Sequence, residues 1–215
     1  VLPAAAHLTA SMLAGSHPKV TYKGSSIIVA GFGPRPGGGF ALGSLDLLDL
    51  QRPFDMVAVT AKAVEGTGQS EHEVWEVVQH WSIDLVIMNP PFTRDTGQEA
   101  SKIGVPNPMF AAFGSKEEDQ REMAKAAAKL LKGTSAHGNA GEASSFLVLA
   151  DRKLKDNGTL AMVMPLSLMS GEAWEASRQL LRKSYGELVL ISIAGARSEE
   201  LSFSADTGMG ECLVI

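Results

Sequence analysis

The run from Asp84 to Phe92, DLVIMNPPF, sets a carboxamide, two prolines and an aromatic ring in immediate succession. A residue that precedes proline is pushed to extended backbone angles. Asn89 and Pro90 are each followed by a proline, so both have few backbone conformations. The side-chain oxygen of Asn89 and the backbone carbonyl of Pro90 can then serve as two fixed hydrogen-bond acceptors. Two fixed acceptors suit an NH2 group with two hydrogens. An exocyclic amine on a flat ring is a poor nucleophile, because its lone pair is delocalised into the ring. Accepting both hydrogens draws the nitrogen towards tetrahedral geometry and frees that lone pair. Phe92 follows at a spacing that lets it stack on the same ring, as aromatic side chains do with an extruded base.

These residues need a support, and the chain on either side reads as one. Leu85, Val86, Ile87 and Met88 form a short, uninterrupted apolar run, the pattern of a strand buried on both faces inside a parallel sheet. Proline cannot donate to a strand ladder, so Pro90 and Pro91 end the strand at its carboxyl edge. In open α/β sheets that edge is where ligands sit. Ser70 to Trp81 reads as a helix packed before this strand, with Val74, Val77 and Val78 inward. Thr93 to Asn107 is a long polar loop at the same edge. It reads as a lid over the target ring with Arg94 near a phosphate, or equally as an ordinary solvated loop. Ser115 to Lys132 is an Ala-rich helix, with a Ser115–Glu118 capping box and Gly133 as its stop. Met123, Ala127, Leu130 and Leu131 make its apolar face. A helix over Ala143 to Leu154, a turn at Asp156-Asn157-Gly158, a buried strand over Thr159 to Met164 ending at Pro165, a helix over Trp174 to Ser184 and a strand over Glu187 to Ile193 complete an alternating α/β pattern. Upstream, Pro3 to Ala14 reads as a helix, and Thr21 to Val29 as one or two short strands. Gly31 to Gly39 is rich in glycine, but Pro34 and Pro36 break the Gly-x-Gly-x-x-Gly pattern of a dinucleotide loop and no helix follows. It reads as a connector or hairpin tip.

Bulk properties exclude several classes. The chain has 215 residues, is 45% hydrophobic and is 20% charged, which is enough for a sizeable core and at most two domains. No apolar run approaches the roughly 20 residues of a membrane helix. The start, VLPAAAHLTA, lacks the positive region of a signal peptide. The one cysteine, Cys212, lies in the apolar run Cys212 to Ile215, reads as a core residue and fits a reducing cytoplasm. His72 and His80 show no metal-ligand spacing, so no metal is expected. The net charge is −5 and the pI is near 5.6. A duplex held by phosphate contacts needs a basic surface, so a grip on DNA would come from another domain or subunit.

Asn89-Pro90-Pro91-Phe92 resembles the Asp/Asn/Ser-Pro-Pro-Tyr/Phe/Trp signature of class I S-adenosylmethionine-dependent amino-methyltransferases, in their adenine-N6 branch. The match holds at all four positions, at the end of a buried strand that Asp84 opens. FLVLADRKLKDNGTLAMVMPLSLMSG is similar to the helix, turn and strand that follow the motif in that family. The resemblance implies a Rossmann-like sheet, mostly parallel with an antiparallel carboxyl-terminal strand, and a single catalytic domain over 1–215 with insertions near 30–40 and 93–140. It implies Asn89, Pro90, Pro91 and Phe92 as catalytic residues and S-adenosylmethionine as cofactor. Asp46, in FALGSLDLL, resembles the acidic residue that contacts the cofactor adenine, and Leu47 would pack on the adenine face. A turn or helix-cap carboxylate is the other reading of Asp46. Phe203, in SFSADTGMGECLVI, resembles a second aromatic that the family sometimes brings to the flipped base. The family's first strand and glycine loop have no counterpart here, which implies an amino-terminally incomplete domain.

The expected activity is methyl transfer to the N6 amine of adenine in DNA, as in restriction-modification or phage-defence systems, with restriction or specificity subunits as possible partners. The same motif serves RNA guanine-N2 and protein glutamine-N5 methylation in related families. A methyltransferase-like scaffold without activity is the expectation from another class.

Overall fold

The computed structural model describes residues 11–12, 15–16, 19, 32–35, 37–49, 78–92, 116–192 and 210–215. The chain divides into two compact units, Val1–Gln79 and His80–Ile215. Arg94 and Phe203 lie outside the described residues, as do the expected elements over 21–29 and 93–107 and most of those over 3–14 and 70–81. Residues 11–12 are helical as expected, whereas 78–81 form a turn rather than the end of the expected helix.

In the first unit, β1 (Phe32–Pro34) pairs antiparallel with β2 (Phe40–Leu42). The glycine-rich stretch is the tip of this hairpin. Arg35 N–H donates to the Gly39 carbonyl at 3.0 Å, and Gly38 N–H donates to the Arg35 carbonyl at 3.1 Å. Gly38 and Gly39 have φ of 92° and 78°, backbone angles that glycine adopts without a Cβ penalty. A 3-10 turn over Gly43–Leu48 follows β2 directly.

The second unit is a mixed α/β layer. Its elements are β3 (Ile83–Met88), α1 (Glu117–Leu130), α2 (Glu142–Lys153), β4 (Leu154–Pro165), α3 (Glu175–Ser184), β5 (Leu190–Ser192) and β6 (Glu211–Val214). The sheet order is β3-β4-β6-β5. β3 and β4 are parallel, while β6 is antiparallel to both β4 and β5. Thus β3, β4 and β5 run one way and β6, the last strand in sequence, is inserted between two of them against their direction.

Burial follows the period of two that a strand imposes. Leu160, Met162 and Met164 of β4 point into the core with Cys212 and Val214 of β6. Leu147 and Ala150 of α2 and Leu181 of α3 close over the same face. β3 sends Val86 and Met88 to this core, but Leu85 is 51% exposed and Ile87 74% exposed. The expectation that this strand is buried on both faces is therefore corrected. Among the described residues β3 lies at the edge of the sheet, and α2 and α3 cover one face.

Two further differences are local. The Asp156-Asn157-Gly158 turn lies inside β4 as a bulge. Ile83 pairs with Leu154, and the next pair on β3 is Leu85 with Thr159. Asn157 takes φ 61°, which asparagine tolerates better than most residues. A Cβ on Gly158 would lie 2.8 Å from the Leu154 side chain and 2.9 Å from the Lys155 carbonyl, so only glycine fits. At α1 the N-cap is Lys116, with no side-chain capping bond, in place of the expected capping box. Met123 and Ala127 are buried as expected, and Gly133 closes the turn after α1 with φ 79°.

Candidate active site

The strand β3 delivers Asn89 to the carboxyl edge of the sheet. Beyond Met88 the burial alternates: Asn89 is exposed, Pro90 buried, Pro91 exposed and Phe92 half-buried. Pro90 is thus the foot of the turn, and its ring in the protein interior keeps Asn89 facing outward. Phe92 packs one side against the core cluster, which fixes the ring's plane. The carboxamide, the Pro90 carbonyl and the partly open ring come together on one short, stiff segment.

The neighbouring rim comes from β4. Met88 pairs with Met162, the last pair between the two strands, so the chain leaves β3 into the Asn89 turn at this rim. Past Pro165 the chain makes a 3-10 turn over Leu166–Met169. Leu166 N–H donates to the Gly210 carbonyl at 2.8 Å, tying this turn to the chain entering β6. Trp174 Nε1 donates to Ser167 Oγ at 3.0 Å. Arg178 NH1 donates to the Leu168 carbonyl at 3.0 Å and to the Gly171 carbonyl at 2.7 Å. Its Nε and NH2 also bond the Glu175 carboxylate, and these bonds hold Glu175 below the usual carboxylate range. Arg178 therefore clamps the rim turn: it reaches the Leu168 carbonyl and shares the Gly171 carbonyl with the Trp174 N–H. Sequence reasoning missed this clamp. The Glu175–Arg178 spacing is visible in the sequence, but the distant carbonyls are not.

Before α2 the chain is pinned as well. Ser144 Oγ donates to the Gly141 carbonyl at 2.8 Å and accepts from His137 N–H at 3.2 Å. Ser177 Oγ, on α3, donates to the Ser135 carbonyl at 3.2 Å. Because α2 runs straight into the start of β4 and packs back along it, its amino end lies at the carboxyl edge with Asn89.

The other end of β3 is anchored by charge. Asp84 pairs with Lys155 at the start of β4. The hydrogen bond and charge of Lys155 hold the Asp84 carboxyl below its ordinary value. Both groups are well exposed, so the pair fixes register more than it adds stability.

Asp46, within the first unit, is 2% exposed. Its Oδ2 accepts from Arg35 NH2 at 2.7 Å and from Leu42 N–H at 2.9 Å. This is the behaviour of a turn carboxylate: it ties the 3-10 turn back to the hairpin. In that geometry Asp46 does not present the open carboxylate that a cofactor contact needs. Leu47, beside it, is half-buried. Cys212 is buried and its thiol is pushed up to about 11 by burial and the nearby Glu211, which makes it an inert core group. Among the described residues no cluster of His, Cys, Asp or Glu could hold a metal. No described helix is long and apolar enough to cross a membrane.

No family model, curated protein or solved structure matches the chain.

Proposed function

We propose that this chain is the catalytic segment of a Rossmann-like, S-adenosylmethionine-dependent amino-methyltransferase, and that its acceptor is the N6 amine of adenine in DNA. The observation that carries the reading is the outward Asn89 above a buried Pro90 at the carboxyl edge of a parallel strand pair. The direction of the sheet supports it: three strands run together, and the carboxyl-terminal strand runs against them.

The chain's own residues act on the acceptor. Asn89 Oδ1 accepts a hydrogen bond from one N–H of the amine and the Pro90 carbonyl accepts one from the other. The nitrogen lone pair is thereby drawn out of the ring. As the methyl group leaves sulfur for nitrogen, one of these protons is released to solvent. Phe92 offers the unburied side of its ring to the adenine, and the rigidity of the turn removes an ordering cost that would otherwise oppose the reaction. S-adenosylmethionine, when bound, supplies an electrophilic methyl group. The described residues fit the amine. The engaged Asp46 does not fit the cofactor, and this favours one competing reading, an inactive methyltransferase-like scaffold.

Two measurements separate these. Titration calorimetry with S-adenosylhomocysteine should show binding; no binding would favour the scaffold. Incubation with methyl-labelled cofactor and pools of DNA, RNA and protein should label DNA. Label entering RNA or protein alone would move the acceptor to a guanine or a glutamine amide.

A further inference from the structure

A cleft of about 920 Å3 opens at the amino edge of the sheet, the edge opposite Asn89. It is walled by Trp81, the β4 bulge, and Ser184 to Glu187 after α3. Its volume lies in the usual range of ligand sites, roughly 300–1,000 Å3. β3 separates the two edges by six residues, roughly 3.3 Å each, so the cleft owes nothing to the amine site.

The walls have a specific chemistry. Trp81 is 58% exposed although it is the largest side chain in the cleft. Its backbone takes φ 53°, an uncommon state for a bulky residue. That state is held by the Trp81 N–H donating to the Arg152 carbonyl at 3.0 Å. The indole also meets the His80 ring edge-on at 5.5 Å. In the same cleft, Tyr185 OH donates to Asp151 Oδ1 at 3.2 Å and so fixes the carboxylate's orientation. Burial raises the Asp151 pKa, and a cationic donor would relieve that penalty. Asp156 and Glu187 add negative charge, while Lys155, the one lining cation, is paired with Asp84.

An open aromatic face beside an oriented carboxylate, in a net negative cleft, matches one side chain well. A guanidinium stacks on indole and forks onto a carboxylate, and it is more weakly hydrated than an ammonium. The volume exceeds one side chain and accommodates the flanking backbone. We propose that this cleft binds an arginine carried on an extended segment of a partner protein.

The test uses blocked tripeptides on the full chain by titration calorimetry. Acetyl-Gly-Arg-Gly-amide should bind, and the uncharged citrulline analogue should bind at least about tenfold more weakly, the loss of roughly one charge-assisted contact. Trp81→Ala and Asp151→Asn should each weaken the arginine peptide by a similar factor, and Asn89→Ala should leave it unchanged. Should Trp81→Ala fail to fold by circular dichroism, Glu187→Gln on the exposed wall should still weaken binding about threefold. Absence of heat with the arginine peptide at millimolar concentration, or equal affinity for the citrulline analogue, overturns the proposal.

Discussion

Asp46 and Lys153 show how much a single buried charge depends on what surrounds it. Asp46 neutralises Arg35, whose side chain is 12% exposed. Asp46→Ala would leave that guanidinium and the Leu42 N–H without the acceptor. We expect a loss of about 1–3 kcal/mol, read from urea unfolding. Unchanged unfolding would show that these two bonds contribute nothing to the fold. Lys153 is 5% exposed at the end of α2, and burial lowers its pKa from 10.5 to about 8. The base is depressed in the folded state, so its charge opposes folding fully below pH 8. That penalty fades as pH rises from 8 to 10.5, because the folded state is then neutral while the unfolded chain is still charged. Lys153→Met should accordingly stabilise the protein by about 1–2 kcal/mol at pH 7. Unfolding at pH 10 should show a clearly smaller gain. An equal gain at both pH values would mean that the lysine is not held below its ordinary pKa.

At the scale of the element, β4 carries the fold. Met162 is fully buried between β3, β6 and the helices. Met162→Ala should destabilise by about 2–5 kcal/mol. The bulge has its own test. Gly158→Ala places a methyl group against a backbone carbonyl, which cannot move aside as a side-chain tip can. A loss of about 1–3 kcal/mol is expected; a neutral result would show that the bulge relaxes.

These elements also show what a sequence can and cannot carry. The short apolar run from Leu160 to Met164, ended by Pro165, announces a buried strand, and the Ala-rich run between Glu117 and Leu130 announces a helix, because each pattern is a local property. Their ends were less legible. Lys116 stands at the N-cap position of α1 without a capping bond where a Ser115 capping box was expected, because a helix end shifts by a residue or two without changing the pattern of its interior. The Asp156-Asn157-Gly158 turn was visible, but its place inside β4 depends on pairing with β3, a contact far away in sequence. The exposure of Leu85 and Ile87 was hidden for the same reason. An apolar run identifies a strand, not what covers each face. The outward Asn89 was legible, because two prolines leave it few choices. A turn role for Asp46 was one of two readings the sequence offered, but its partner Arg35, across a hairpin, was not legible.

For the whole molecule, the parallel direction of β3 and β4 gathers the Asn89 turn, the Leu166–Met169 turn and the amino end of α2 at one edge. The net charge of −5 gives the chain little grip of its own on phosphates. On the proposed reading, action on DNA would need binding supplied by another domain or subunit, and a turn that receives the amine without rearrangement. That turn tests the account most directly. Wild-type chain is incubated with S-adenosylmethionine and DNA, and N6-methyladenine is quantified by mass spectrometry beside Asn89→Ala. The account predicts N6-methyladenine with the wild type and at least about a hundredfold less with Asn89→Ala, the scale of losing a positioned acceptor, with the unfolding midpoint unchanged because Asn89 is exposed. Equal product from both proteins would contradict it.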